Sequence, residues 1–220
     1  MVRSFHKYLS LAISIQLLLW TISGIYFAFN KIELIRGEQY LLEQEISDVS
    51  LDEMKNTFNA KNLSILKRLD QWIIKVEDGA GVYYTDLNGN KLTSLTREQV
   101  KLAVKGQTSL TPVNVTRITS SSEGSEFRGR ELPLFKVTTS SEDEINVYVD
   151  AVSGEVKAIR SDSWRWWDLL WSLHIMDYRE RENIDNFLLK IFSILALISS
   201  LSGITLFFLG LKKRTLPDQL

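Results

Sequence analysis

Two histidines, His6 and His174, and a tryptophan run around the second are the residues of this chain whose types and spacing carry chemistry. Imidazole is a metal ligand, and indole suits an apolar boundary because its ring is greasy and its N–H is polar. Between Ser163 and Tyr178, four of the six tryptophans fall within eight residues. At helical spacing Trp164, Trp167, Trp171 and His174 share one face, at offsets 0, 3, 7 and 10. Arg165, Asp168 and Ser172 lie on the other face. Other chemistry is narrow. The absence of cysteine excludes disulfides, Cys-ligated zinc, iron–sulfur clusters and thiol catalysis. Two histidines cannot build a three-His metal site within one chain. No G-x-S-x-G, H-E-x-x-H or G-x-G-x-x-G occurs. A net charge of −1 leaves no footprint for nucleic acid. The stretch Asp86-Leu-Asn-Gly-Asn90 begins like a calcium loop, but its Gly and the distal Glu fall at the wrong offsets, so it reads as a hairpin turn. Arg128-Gly-Arg130 reads as a basic pair in a loop, and Glu142-Asp-Glu144 as a solvated turn.

The elements that position these residues begin with two apolar runs. Tyr8 to Asn30 holds no charged residue over 23 positions, and Ile191 to Leu211 none over 21. A helix crossing the hydrocarbon needs about 20 such residues. The first run is too long for a signal-peptide core and ends in Phe27-Ala-Phe29 rather than a small-x-small site, so it reads as an uncleaved anchor. Basic residues flank both runs on the sides facing the chain termini: Arg3 and Lys7 before the first, Lys212, Lys213 and Arg214 after the second. Residues 31–186 between them hold 20 basic and 26 acidic residues. The positive-inside rule then places both termini in the cytoplasm and the intervening domain outside. The expected organisation is a cytoplasmic N-terminus (1–7), a first span (8–30), an extracytoplasmic domain (31–162), an aromatic helix and linker (163–186), a second span (187–211) and a cytoplasmic tail (212–220). The aromatic helix should lie on or dip into the outer leaflet, in contact with membrane lipids.

The outer domain reads as α+β. Ser50 with Glu53 forms a capping box for a short helix over 50–60. Residues 72–76 and 82–86 form strands around the turn Asp78-Gly-Ala-Gly81. Thr96 caps a helix over 96–104 that stops near Gly106. Residues 134–137 and 145–149 form a second strand pair. The segments 82–92 and 147–157 share strand, Asp, Gly-turn and strand, which suggests two duplicated strand-hairpin half-units.

These residues, taken in order, resemble the PepSY-associated transmembrane proteins over nearly the whole chain. The resemblance rests on Arg3-Ser-Phe-His6-Lys-Tyr8, Trp20-Thr-Ile-Ser23-Gly24, Glu131-Leu-Pro-Leu-Phe-Lys-Val137, Asp150-Ala-Val-Ser-Gly154-Glu-Val156, Trp171-Ser-Leu-His174-Ile-Met-Asp-Tyr178 and Leu201-Ser-Gly-Ile204. It implies a PepSY-type domain held outside a bacterial inner membrane. Larger relatives include ferric-siderophore reductases that hold haem b by membrane histidines; others are similar to anchors for flavin reductase modules. This chain departs from them in having two spans and no flavin or nicotinamide motif.

Under that resemblance His6 and His174 are candidate axial ligands of haem b, with Trp167 and Trp171 lining the cofactor. The plainer reading makes His6 one more basic residue beside Arg3 and Lys7, and His174 an interfacial side chain bonded to lipid or backbone. Geometry adds a constraint. With His6 at the inner end of the first span and His174 near the outer end of the second, the two stand about 30 Å apart at 1.5 Å per residue. Axial nitrogens sit about 2 Å from the metal, so any haem needs its second ligand from another chain in a homodimer or heteromer. Two functional expectations follow. One is a membrane subunit supporting electron transfer to ferric iron or siderophore, fed by a cytoplasmic flavin reductase partner. The other is a non-catalytic binding or protease-regulatory module.

Overall fold

The structure, a computed structural model, describes residues 2–43, 48 and 57–215. The expected helix over 50–60 falls mostly outside the described residues; the part that is described, 57–60, has no regular structure. The chain divides into two units, residues 1–31 with 166–220, and Ile32–Arg165.

The first unit contains α1 (Val2–Phe29) and α5 (Phe187–Thr215). Neither has an internal proline, and each is long and apolar enough to cross a membrane. Their apolar side chains point outward: Leu11 is 69% exposed, Ile15 74% and Phe207 64%. Only 17% of the most apolar stretch of α1 is buried, and 6% of that of α5. A core helix of a soluble protein would hide these faces; here they suit lipid. α1 buries one stripe that includes Ile13, Gln16 and Ser23.

The second unit opens with one turn of helix, α2 (Ile32–Ile35), and a 3-10 turn at Glu38–Tyr40. Strands β1 (Asn62–Arg68), β2 (Gln71–Glu77) and β3 (Val82–Asp86) form an antiparallel sheet in that order. Helix α3 (Arg97–Gln107) follows. A second antiparallel sheet runs β4 (Pro112–Ile118), β5 (Leu134–Thr139), β6 (Asn146–Asp150), β7 (Val156–Arg160). Helix α4 (Asp162–Ile175) comes next, and its residues from Trp166 onward belong to the first unit. Each sheet is a simple meander, and a helix follows each. The expected hairpins at 72–86 and 134–149 are present; β1 and β4 are additions. Both are edge strands that leave apolar side chains half open, Leu63 at 45% and Val113 at 55%, so their apolar signal in sequence is weak.

The core lies between α3 and the four-stranded sheet. Val100 and Val104, one helical turn apart, pack in the cluster that includes Val115, Val137, Val147 and Val149. Thr96 and Gln99 form a reciprocal capping box at the start of α3. The helix runs one residue past Gly106 because Gln107 is tied down. Its amide donates to the Ala103 and Gly154 carbonyls and accepts from Val156 N–H.

Those bonds explain the Asp-x-x-Ser-Gly-Glu-Val segment as a turn rather than a reactive motif. Asp150 Oδ1 accepts from the backbone of Val152 and Ser153, at 2.9 and 2.7 Å. Gly154 then adopts φ +76°, and a Cβ there would lie 2.9 Å from Leu95 Cδ1. A left-handed conformation costs an L-residue about 1–2 kcal/mol, so Gly154→Ala should lower stability by at least that amount in a thermal melt of the full chain.

A second polar hub is Glu126. Its carboxylate accepts from Arg165 Nε at 2.7 Å, the Tyr148 hydroxyl at 2.7 Å and the Asn146 amide at 3.0 Å. Burial pushes its pKa up, but these three donors outweigh it and hold the carboxyl below the usual glutamate range. A depressed carboxylate stabilises the fold above its unfolded pKa, about 4.3, and loses that contribution as pH falls through the folded value. Acid melts of the wild type should therefore show a stability loss below that range, and Glu126→Gln should flatten it.

Candidate functional site

On α1, His6, Ser10, Gln16, Trp20, Ser23 and Phe27 recur at offsets 0, 4, 10, 14, 17 and 21, which a 3.6-residue period places on one face. α4 lies antiparallel along the C-terminal half of this face. Gln16 Nε2 donates to Leu173 O at 3.1 Å, and Trp20 Nε1 donates to His174 O at 2.6 Å. These are among the last carbonyls of α4, which have no partner inside their own helix. Side chains of α1 supply it.

α4 ends in a defined way. Met176 takes φ +57°, and Asp177 N–H reaches back to Ser172 O at 3.1 Å, the six-to-one bond of a Schellman stop. Asp177 then gathers the following loop, its two oxygens accepting from the backbone of Arg179, Glu180, Glu182 and Asn183. Asn186 caps α5 by accepting from Leu189 N–H while donating to Ile175 O.

The rings form a ladder. Trp167 and Trp171 stack at 5.4 Å and 12°, and Trp171 and His174 at 6.2 Å and 8°. Phe27 meets all three, 5.4–6.1 Å from their centroids. Trp164 is not part of this stack, although its spacing put it on the same face. Its ring lies under the guanidinium groups of Arg160 at 4.4 Å and Arg128 at 5.4 Å. Helical spacing sets a direction, but the neighbours at each level decide the contact.

Each histidine is held by a serine. His174 Nδ1 lies 2.7 Å from Ser23 Oγ, and among the described residues its Nε2 has no hydrogen bond. Burial lowers its pKa, which favours neutral imidazole at pH 7. His6 Nδ1 lies 2.7 Å from Ser202 Oγ, and its Nε2 lies 3.4 Å from Ser10 Oγ, which in turn sits 2.8 Å from Ser199 Oγ. Ser23, on the His174 side, and His6 are 17 residues apart on α1, a rise of about 25 Å. The histidines thus share a helix face without sharing a site. No group of three or more His, Cys, Asp or Glu that could hold a metal ion occurs among the described residues.

The other face of α4 carries a buried charge. Asp168 is 1% exposed and pairs with Arg181 at 2.8 Å, so the polar loop is pinned onto the helix. Neither this pair nor the serine partners were anticipated from sequence. The available signal was polar residues at 3–4 spacing inside a run without charges, which lipid would tolerate only if they were partnered. Removing one member of a buried pair costs up to about 3–5 kcal/mol when nothing else compensates the other, and Asp168 keeps a further interaction. Arg181→Ala should therefore lower the thermal stability of the chain by less than that range, and Asp168→Asn should partly offset the loss in the double variant.

No curated protein and no solved structure matches the chain. A family model does: residues 3–219 match the PepSY-associated TM region. That match spans both apolar helices, the two sheets and the histidine face, and the chain belongs to the PepSY-associated TM family.

Proposed function

We propose that this membrane-anchored protein is a subunit supporting electron transfer across a bacterial inner membrane, with haem b held by its histidines and ligands from a second chain. The observation that carries this reading is His174: a half-buried imidazole, stacked on Trp171, fixed through Nδ1 by Ser23, with Nε2 unbonded among the described residues. Haem-ligating imidazoles coordinate through one nitrogen while a neighbour holds the other. His174 fits that requirement. His6 fits it less closely, because Ser10 stands near its Nε2. Trp167, Trp171 and Phe27 would supply an apolar wall. When bound, the haem would supply one-electron redox chemistry.

The separation along α1 supports a second chain as the source of the other ligand at each iron. Charge on the flanks of the two helices supports cytoplasmic termini. A cytoplasmic flavin reductase as donor and ferric iron or siderophore as acceptor remain part of the proposal. So does a PepSY module built from two half-units, which the two meander-plus-helix segments favour.

A second reading, a non-catalytic extracytoplasmic binding or protease-regulatory module, draws on a cleft of about 580 Å³ beside β3. Tyr84, Glu131, Pro133 and Asp150 help line it, and among the described residues β3 pairs with β2 on one side and, on residues 84–85, with the short segment Lys91–Leu92.

Haem titration of the full-length protein in lipid nanodiscs separates the two. The electron-transfer reading expects a Soret band that grows to saturation and is lost or shifted in His174→Ala. A wild-type protein that leaves added haem in its free spectrum contradicts it and favours the binding module.

A further inference from the structure

We infer that Ser23 and Ser202 are positioning residues that lock His174 and His6 as the Nδ1–H tautomer. A serine hydroxyl has one proton to give. At Ser23 it is committed to the helix: Oγ lies 2.7 Å from Leu19 O and 3.2 Å from Trp20 O. The bond to His174 Nδ1 must then run the other way, with the ring N–H donating and Ser23 Oγ accepting at 2.7 Å. The proton sits on Nδ1, and Nε2 keeps its lone pair.

The same device occurs at His6. Ser202 Oγ donates to Ser199 O at 2.8 Å, so it accepts from His6 Nδ1–H at 2.7 Å. Ser10 Oγ, 3.4 Å from His6 Nε2, faces an acceptor. Gly203 lets the ring lie this close to α5, since a Cβ there would come 3.2 Å from His6 Cε1. Two imidazoles on two helices therefore carry one arrangement, each with its hydroxyl turned by a backbone carbonyl of the serine's own helix. A neutral histidine in water favours the Nε2–H form, so this is an imposed state.

The functional meaning rests on the proposed haem ligation: only the Nδ1–H tautomer offers Nε2 to iron without first moving a proton. The tautomer itself stands apart from that reading and can be measured without haem.

The test is nitrogen-15 NMR of histidine-labelled full-length protein in lipid bilayers near pH 8, with Ser23→Ala, Ser202→Ala, Ser202→Thr and the exposed control Ser14→Ala. Wild type should show protonated Nδ1 and bare Nε2 at both rings. Ser23→Ala should convert His174 alone to Nε2–H, Ser202→Ala should convert His6 alone, and Ser202→Thr and Ser14→Ala should convert neither. Haem affinity should fall about 10–100-fold in Ser23→Ala, the usual loss for a partner behind the ligand. Nε2–H rings in wild type, or serine variants that leave the tautomers unchanged, overturn the inference. Tautomers as expected in a protein that binds no haem overturn the haem reading alone and support the assignment.

Discussion

A polar group in hydrocarbon has no water to turn to, and the membrane unit is organised around that constraint. α1 carries hydroxyl, amide, indole and imidazole groups along one face. Each finds a partner on α1 itself, α4 or α5. The pairings also fix register. Ser10 with Ser199 and His6 with Ser202 set how α5 slides against α1, while Gln16 and Trp20 set the depth of the α4 terminus. Apolar contacts alone would not do this, because lipid tails compete equally for a leucine face.

The second unit solves the matching problem in water. Its apolar core is conventional, and its specificity comes from two acids with several donors each, Asp150 buried and Glu126 half-buried. Glu126 joins the loop before β5, strand β6 and the start of α4 through Asn146, Tyr148 and Arg165. Asp150 orders the turn onto which Gln107 of α3 docks. In both, the donors fill lone pairs of a carboxylate that is wholly or partly withdrawn from water.

Much of this was legible in sequence. Twenty charge-free residues have few alternatives to a span, and the tryptophan spacing marked α4 and the Trp167, Trp171, His174 face. Gly and Asp clusters marked the hairpin turns. The strands β1 and β4 were not legible: each leaves apolar side chains such as Leu63 and Val113 about half open, and neither adjoins a cluster of Gly and Asp of the kind that marked the hairpins. The partners of the histidines were also hidden. Ser23 and Ser202 stand 151 residues from His174 and 196 from His6, and local pattern says nothing about which distant helix will arrive opposite. The same holds for Arg181 and Asp168, where sequence showed a polar loop but not the buried acid it would meet.

The chain has no cysteine, so paired cysteines can report packing without background. The most direct test of the polar-face account is oxidative cross-linking of Ser10→Cys with Ser199→Cys in native membranes, where the two Oγ atoms stand 2.8 Å apart. Rapid intramolecular cross-linking is expected, with none between Ser10→Cys and Ser200→Cys on the exposed side of α5. No cross-link at the first pair, or equal cross-linking at both, would contradict the account.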